Sequence, residues 1–132
     1  MKEKGFVAGT ILATNQKGES FFLVHHENET LSFLLEKIDE DATFPMGIIM
    51  RSLLQHVKID SESLRIVDAT NIRSEDFDVP LFVFDLTERP ENPDELLTNS
   101  ENVTWRRSKD LSHLLNNCDF SGVPVYRSES YN

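Results

Sequence analysis

The sequence predicts a mixed α/β domain in which two helices pack around a sheet. Three observations lead there. Short apolar runs rich in β-branched and aromatic residues recur at Phe6–Ala13, Ser20–His25, Leu31–Leu35, Leu64–Ile72 and Val79–Leu86, the composition of buried or half-buried strands. Between them, Met46, Ile49, Met50, Leu53 and Val57 recur at helical spacing and define one apolar stripe. The resulting order of strands, helix, strands, helix is that of a layered α/β or α+β domain. A chain of 132 residues with nine Phe suffices for one core. It is read as a single domain over 1–132, with its core at about 6–115 and a tail at 116–132.

Each element follows from local chemistry. Phe6–Ala13 mixes apolar and small residues and reads as a central strand, closed by the turn signal Asn15-Gln-Lys-Gly18. Ser20–His25 then pairs back as the second arm of a hairpin. Glu27-Asn-Glu29 is a polar turn before Leu31–Leu35, and Glu36–Ala42 is an acidic loop. Asp41 or Thr43 is placed to cap the helix that follows, and Pro45 suits its first turn. On that helix, Ser52, Gln55 and His56 lie off the apolar stripe, and their spacing of three and four puts them on one face. Gly47 costs about 1 kcal/mol relative to Ala inside a helix and is read as a point of close packing. Val79–Leu86 is the strongest strand signal, with Pro80 suited to a strand end or an edge. Glu88–Asn102 is a loop with one helical turn near Asp94–Leu97, and Asn102–Arg106 is a short strand. Ser108 caps a second helix to about Leu115. Gly122–Tyr126 is extended, and Arg127–Asn132 is a frayed end.

Composition narrows the function. The net charge of -10 disfavours binding to long nucleic acid, whose phosphates would be repelled. A small phosphorylated ligand stays compatible, because a local pocket overrides global charge. No apolar run approaches a membrane span, and the Met-Lys-Glu-Lys-Gly start lacks the apolar region of a signal peptide. The single Cys118 excludes an internal disulfide framework and has no nucleophile signature around it. A cytoplasmic location is therefore expected.

The stretch Thr43-Phe-Pro-Met-Gly-Ile-Ile-Met-Arg-Ser-Leu-Leu-Gln-His-Val-Lys-Ile59 resembles the signature of the Nudix hydrolases, G-x5-E-x7-R-E-U-x-E-E-x-G-U, where U is a bulky aliphatic. Arg51, Leu53 and Ile59 fall on their expected positions, and Pro45, Ile48 and Ile49 suit the family's helix. Two further segments carry the likeness. Val7–Leu12 followed by Phe21–Val24 is similar to the family's opening hairpin, and Val103-Thr-Trp-Arg-Arg-Ser-Lys-Asp-Leu111 to its late tryptophan strand and final helix. The resemblance implies a Nudix-like α/β/α sandwich with a mixed β-sheet and two main helices.

In the family, the signature's carboxylates hold magnesium or manganese, which need hard oxygen ligands. Here the acidic positions hold Thr43, Ser52, Gln55 and His56, and the glycine positions hold Lys37 and Lys58. The resemblance thus implies a degenerate signature, no catalytic residue and no metal at these positions, with Arg51 retained in a structural role. The expected function is a catalytically inactive, nucleotide-like ligand-binding or interaction domain. One alternative is a magnesium-dependent pyrophosphohydrolase of nucleoside diphosphate derivatives, with relocated acids drawn from Glu36, Asp39, Glu40, Asp41, Glu88 or Glu101. Another is a structural or dimerising domain, a possible homodimer.

Other residues have a bland reading beside the sharp one. Glu88 and Glu101 bracket the long loop and are ligand candidates, as is Trp105, which could stack on a base but more often fills a core. His56 reads as a solvated histidine, and His25 and His26 as edge residues on opposite faces. The acidic cluster at Glu36–Asp41 reads as a solvated loop before a helix N-terminus. Arg106 and Arg107 read as a surface ion-pairing site.

Overall fold

The computed structural model describes residues 5–27, 30–38, 44–73, 78–98 and 102–111. Its frame is a seven-stranded mixed sheet built around β1 (Gly5–Thr14). The others are β2 (Ser20–Glu27), β3 (Thr30–Ser32), β4 (Leu34–Ile38), β5 (Leu64–Arg73), β6 (Asp78–Leu86) and β7 (Val103–Arg107). Along the main path the order is β3-β2-β1-β6-β5, with β4 paired to β1 and β7 to β2. β1 runs parallel to β6 and antiparallel to β2 and β4. Such an interior strand must be apolar on both faces. Val7, Ala8, Ile11 and Ala13 are fully buried, and so is Thr10.

The sheet forks beside β1. β2 pairs with it at Leu12↔Phe22 through Thr14↔Ser20, whereas β4 pairs along Gly5–Gly9. Just before the β2 pairing begins, the buried Thr10 hydroxyl donates to the Leu23 carbonyl at 2.7 Å. That bond satisfies a backbone acceptor that would otherwise be costly to bury. Beyond the fork, β2 is flanked by β3 and β7. His25 pairs with Ser32 on one side and Val103 on the other, so it sits on an interior strand and not at a sheet edge as expected.

Helix α1 (Pro45–Leu54) covers one face of the sheet. Strand parity shows which side chains it covers. Val7, Ile11 and Ala13 of β1, Leu23 of β2, Leu34 of β4 and Phe84 and Leu86 of β6 form one cluster with Ile49 and Leu53. Ala8, Phe22, Val24, Leu81 and Val83 form the other, with Leu111. A bulge at Val67 lets β5 serve both: Leu64 and Ile66 face Leu86 and Phe84, and after it Asp68, Thr70 and Ile72 face Val83, Leu81 and Val79.

Several expectations change. The run at Leu31–Leu35 divides into β3 and β4 around the buried Phe33, and β4 takes in Glu36 and Lys37, which were assigned to a loop. These charges do not end the strand, because Leu34, Glu36 and Ile38 point one way and Leu35 and Lys37 the other. The N-cap of α1 is Phe44, with no side-chain cap bond, while Asp41 and Thr43 lie outside the described residues. The turn near Asp94 is a 3-10 turn over Pro93–Leu96, capped by Asn92. Pro80 lies at the start of β6, one residue before the pairing with β1 begins. The second helix begins as a 3-10 turn over Ser108–Leu111, and its expected continuation, with Cys118 and the tail, lies outside the described residues. Among the described residues the fold is α+β with one main helix, and no helix is long and apolar enough to cross a membrane.

The close packing assigned to Gly47 occurs at Gly9 instead. A Cβ on Gly9 would lie 2.5 Å from Ile49 Cγ1 and 3.2 Å from Leu53 Cδ1, whereas one on Gly47 would meet only Phe44 Cβ at 3.9 Å. Gly9→Ala is expected to destabilise the fold by about 1–3 kcal/mol through overpacking, read as a lower urea midpoint. In a double-mutant cycle with Ile49→Ala, which removes the clashing atom, the combined loss is expected to be smaller than the sum. Additive losses would show that the helix does not rest on Gly9.

Candidate functional site

The best-built polar cluster lies where the C-terminal half of α1 crosses the fork. Ser52 is only 7% exposed, so it belongs to the buried side of the helix and not to its open face. Its hydroxyl donates to Glu36 Oε2 at 2.8 Å. β4 supplies this carboxylate because Leu34 and Ile38, on either side in strand parity, pack under α1 and carry Glu36 to the same side. A strand thus delivers an acid to the buried side of the helix at Ser52.

α1 ends at Leu54, earlier than the stripe predicts. Its last bonds tighten to Gln55 N–H→Ser52 carbonyl and His56 N–H→Leu53 carbonyl, the 3-10 pattern common at helix ends. Arg51 is exposed in the last turn, where a cation complements the helix dipole. The exit is stitched to the loop before β7. The Gln55 carbonyl accepts from Thr98 Oγ1 at 3.0 Å, the His56 carbonyl from Thr98 N–H at 2.9 Å, and Lys58 N–H donates to the Leu96 carbonyl at 2.6 Å. Val57 bridges Leu97. Gln55 is exposed, while His56 is half-buried.

His56 does not stand alone. Burial holds its pKa below the ordinary 6.5, the neighbouring His25 lowers it further, and Glu36 opposes both. Strand parity accounts for His25: Phe21 and Leu23 pack under α1, and His25 continues that side of β2. His25, Glu36, Ser52 and His56, from β2, β4 and α1 with its exit, therefore share one side of the sheet. The sequence reads the imidazoles as solvated or edge groups and Glu36 as part of an acidic loop or one of several relocated acids, without bringing the three to one side of the sheet. The missed signal was the alternation of Phe21, Leu23, His25 and of Leu34, Glu36, Ile38.

The other candidates are dispersed. Glu88 lines an open recess of about 340 Å³ with Val57, Lys58, Ile59, Asp60, Ser63 and Leu96, beyond the helix exit. Glu36 is not part of that lining. Trp105 is 6% exposed and packs in the cluster under α1, so its ring is a core element and not an open stacking platform. Its Nε1 is buried with no hydrogen-bond partner. Glu101, Thr43, Asp39, Glu40 and Asp41 lie outside the described residues. Among the described residues, no three His, Cys, Asp or Glu side chains gather as a metal-holding group. Arg107 pairs with Glu19 at 3.3 Å and lies 5.7 Å from the Phe21 ring centroid. Glu19 is held in turn by Asn15, whose Nδ2 donates to Oε1 at 2.8 Å. That hydrogen bond, more than Arg107, holds the Glu19 pKa below its usual value.

This architecture is shared with solved Nudix structures. A Nudix hydrolase from M. smegmatis, RenU, superposes with a TM-score of 0.60 at 15% identity, over 83% of this chain and 74% of its own. The C. elegans Ap4A hydrolase binary complex gives 0.58 at 15% identity, over 86% and 87%. The NUDIX domain of Shewanella oneidensis NrtR, complexed with ADP ribose, gives 0.52 at 10% identity, over 86% and 79%. No protein-family model and no curated protein matches the sequence. The chain thus has the Nudix fold, at a sequence divergence at which the likeness defines the fold alone.

The lowered pKa of His56 has a sign that can be tested. A base harder to protonate in the folded state leaves the unfolded chain binding more protons as pH falls past 6.5. Stability linked to His56 is therefore full above that value, declines below it, and levels off under the folded pKa. The melting temperature of the wild type is expected to fall more steeply on acidification than that of His56→Gln. Parallel profiles would remove the burial of neutral imidazole as a factor.

Proposed function

We propose that this Nudix-fold domain binds a nucleoside diphosphate derivative and does not carry out metal-dependent hydrolysis. The observation that carries the reading is the Ser52–Glu36 pair. At a position where the family signature calls for a carboxylate, a buried hydroxyl donates to a carboxylate from β4. One Glu36 oxygen is thereby engaged. Ser52 and Gln55 bring only neutral oxygens, which offset the lost hydration of a hard dication poorly. The NrtR domain of the same fold was solved with ADP ribose, which makes that compound the natural probe.

ADP ribose is expected to raise the melting temperature of the purified protein with or without magnesium, reaching about 2.7 kcal/mol of stabilisation at a hundredfold excess over Kd. No release of AMP is expected in chromatography of the same mixtures. Magnesium-dependent AMP formation that follows the protein through purification would overturn the reading, as would the absence of any shift.

One observation favours a second reading. Because Glu36 stands beside the signature position, it could be the first of a relocated set of magnesium ligands. That reading requires further acids to join it. It predicts hydrolysis of ADP ribose that Glu36→Gln abolishes.

A further inference from the structure

We infer that the recess beyond the exit of α1 is a separate binding site for a small zwitterion with an aliphatic side chain, an amino acid of the size of leucine. The inference does not rest on the nucleotide reading, because neither Ser52 nor Glu36 lines this recess. Its volume is about 340 Å³, within the range of small-molecule sites, which begins at roughly 300 Å³. Its walls are fastened to one another. Lys58 N–H donates to the Leu96 carbonyl at 2.6 Å and Val57 bridges Leu97, which joins the helix exit to the loop before β7. Ser63 N–H donates to the Asp60 carbonyl at 2.9 Å, which closes the turn Ser61–Ser63 before β5. Thr87 N–H donates to the Ser63 carbonyl at 2.9 Å, and so ties that turn to the chain carrying Glu88. The recess is therefore formed before any ligand arrives. The amides of Lys58, Ser63 and Thr87 are spent on its walls.

The lining selects the ligand. Val57, Ile59 and Leu96 give it an apolar part, and Lys58, Asp60, Ser63 and Glu88 a polar one. Ionised carboxylates only accept hydrogen bonds and an ammonium only donates them. A simple anion would meet two like charges, from Asp60 and Glu88, for one opposite charge. A divalent cation would find two carboxylates, fewer hard oxygens than it takes, and the repulsion of Lys58. A zwitterion answers both signs. Its ammonium donates to Asp60 and Glu88, its carboxylate accepts from Lys58, and its side chain covers Val57, Ile59 and Leu96. The Ser63 hydroxyl both donates and accepts, so it serves either end. The charge-assisted bonds orient the ligand, and burial of its aliphatic part adds affinity. Lys58 stands where the family signature has glycine, so the residue that supplies the positive charge replaces one with no side chain.

The test is calorimetric titration of the full chain at neutral pH with L-leucine, with isoamylamine, which lacks the carboxylate, and with isocaproate, which lacks the amine. Leucine should bind, and each one-charge analogue should bind at least about tenfold more weakly, the loss expected for one charge-assisted contact. Lys58 and Glu88 are exposed, so Lys58→Gln and Glu88→Gln should keep the fold, which the thermal transition of each variant checks first. Each should weaken leucine by about tenfold. In Glu88→Gln the preference for leucine over isocaproate should shrink, and in Lys58→Gln the preference for leucine over isoamylamine. Absence of leucine binding overturns the inference. So does an analogue that binds as tightly as leucine, a variant with wild-type affinity, or displacement of leucine by ADP ribose. A melting shift with ADP ribose and no binding of leucine removes this site and leaves the nucleotide reading standing. Leucine binding without any effect of ADP ribose does the reverse.

Discussion

The close approach of α1 to β1 at Gly9 is the contact on which the rest of the structure depends. With only a hydrogen where a side chain would stand, Ile49 and Leu53 settle onto the central strand. One helical step separates Leu53 from Ser52, so seating the first also fixes the second above β4. The same seating sets where the chain leaves the helix, and so where His56, Val57 and Lys58 meet Leu96, Leu97 and Thr98. A helix held farther off would lose the Ser52–Glu36 bond along with its apolar contacts. Packing and polar placement are therefore one constraint and not two.

The sheet makes that constraint possible by being buried on both sides at its centre and divided at one edge. β1 exchanges β2 for β4 along its length, and the exchange leaves backbone groups that need partners. Thr10 supplies one of these from a position where a purely apolar residue could not. β5 meets a related problem at Val67, where a single extra residue redirects its inward side chains from one core cluster to the other. These local irregularities are what allow one strand order to enclose two cores.

Much of this fold was legible in the sequence. The strands announced themselves through apolar runs, and the helix through its stripe and Pro45, because periodicity and proline chemistry act within a few residues. What was not legible depended on partners distant in sequence. Gly9 looks like an ordinary small residue in a strand until Ile49 is placed above it. Glu36 looks like the start of an acidic loop until its parity with Leu34 and Ile38 is noticed. Ser52 looks exposed on a wheel that treats 45–59 as regular helix, yet the wheel does not know that β4 lies on its other side. The helix ends at Leu54 because the backbone after it finds better partners in the loop before β7, which no local propensity encodes.

Sequence reasoning about the site could name acids able to replace those of the helix but could not place them, because charge in a folded chain is located by side chains and not by signature columns. Glu36 returns one carboxylate to the helix from β4, while His25 and His56 bring two bases to the same side of the sheet. Magnesium chemistry requires several hard oxygens in one place. One carboxylate, already accepting from Ser52, is the start of such a set and not the whole of it, so the two readings of this domain part on whether further acids reach the same end of α1.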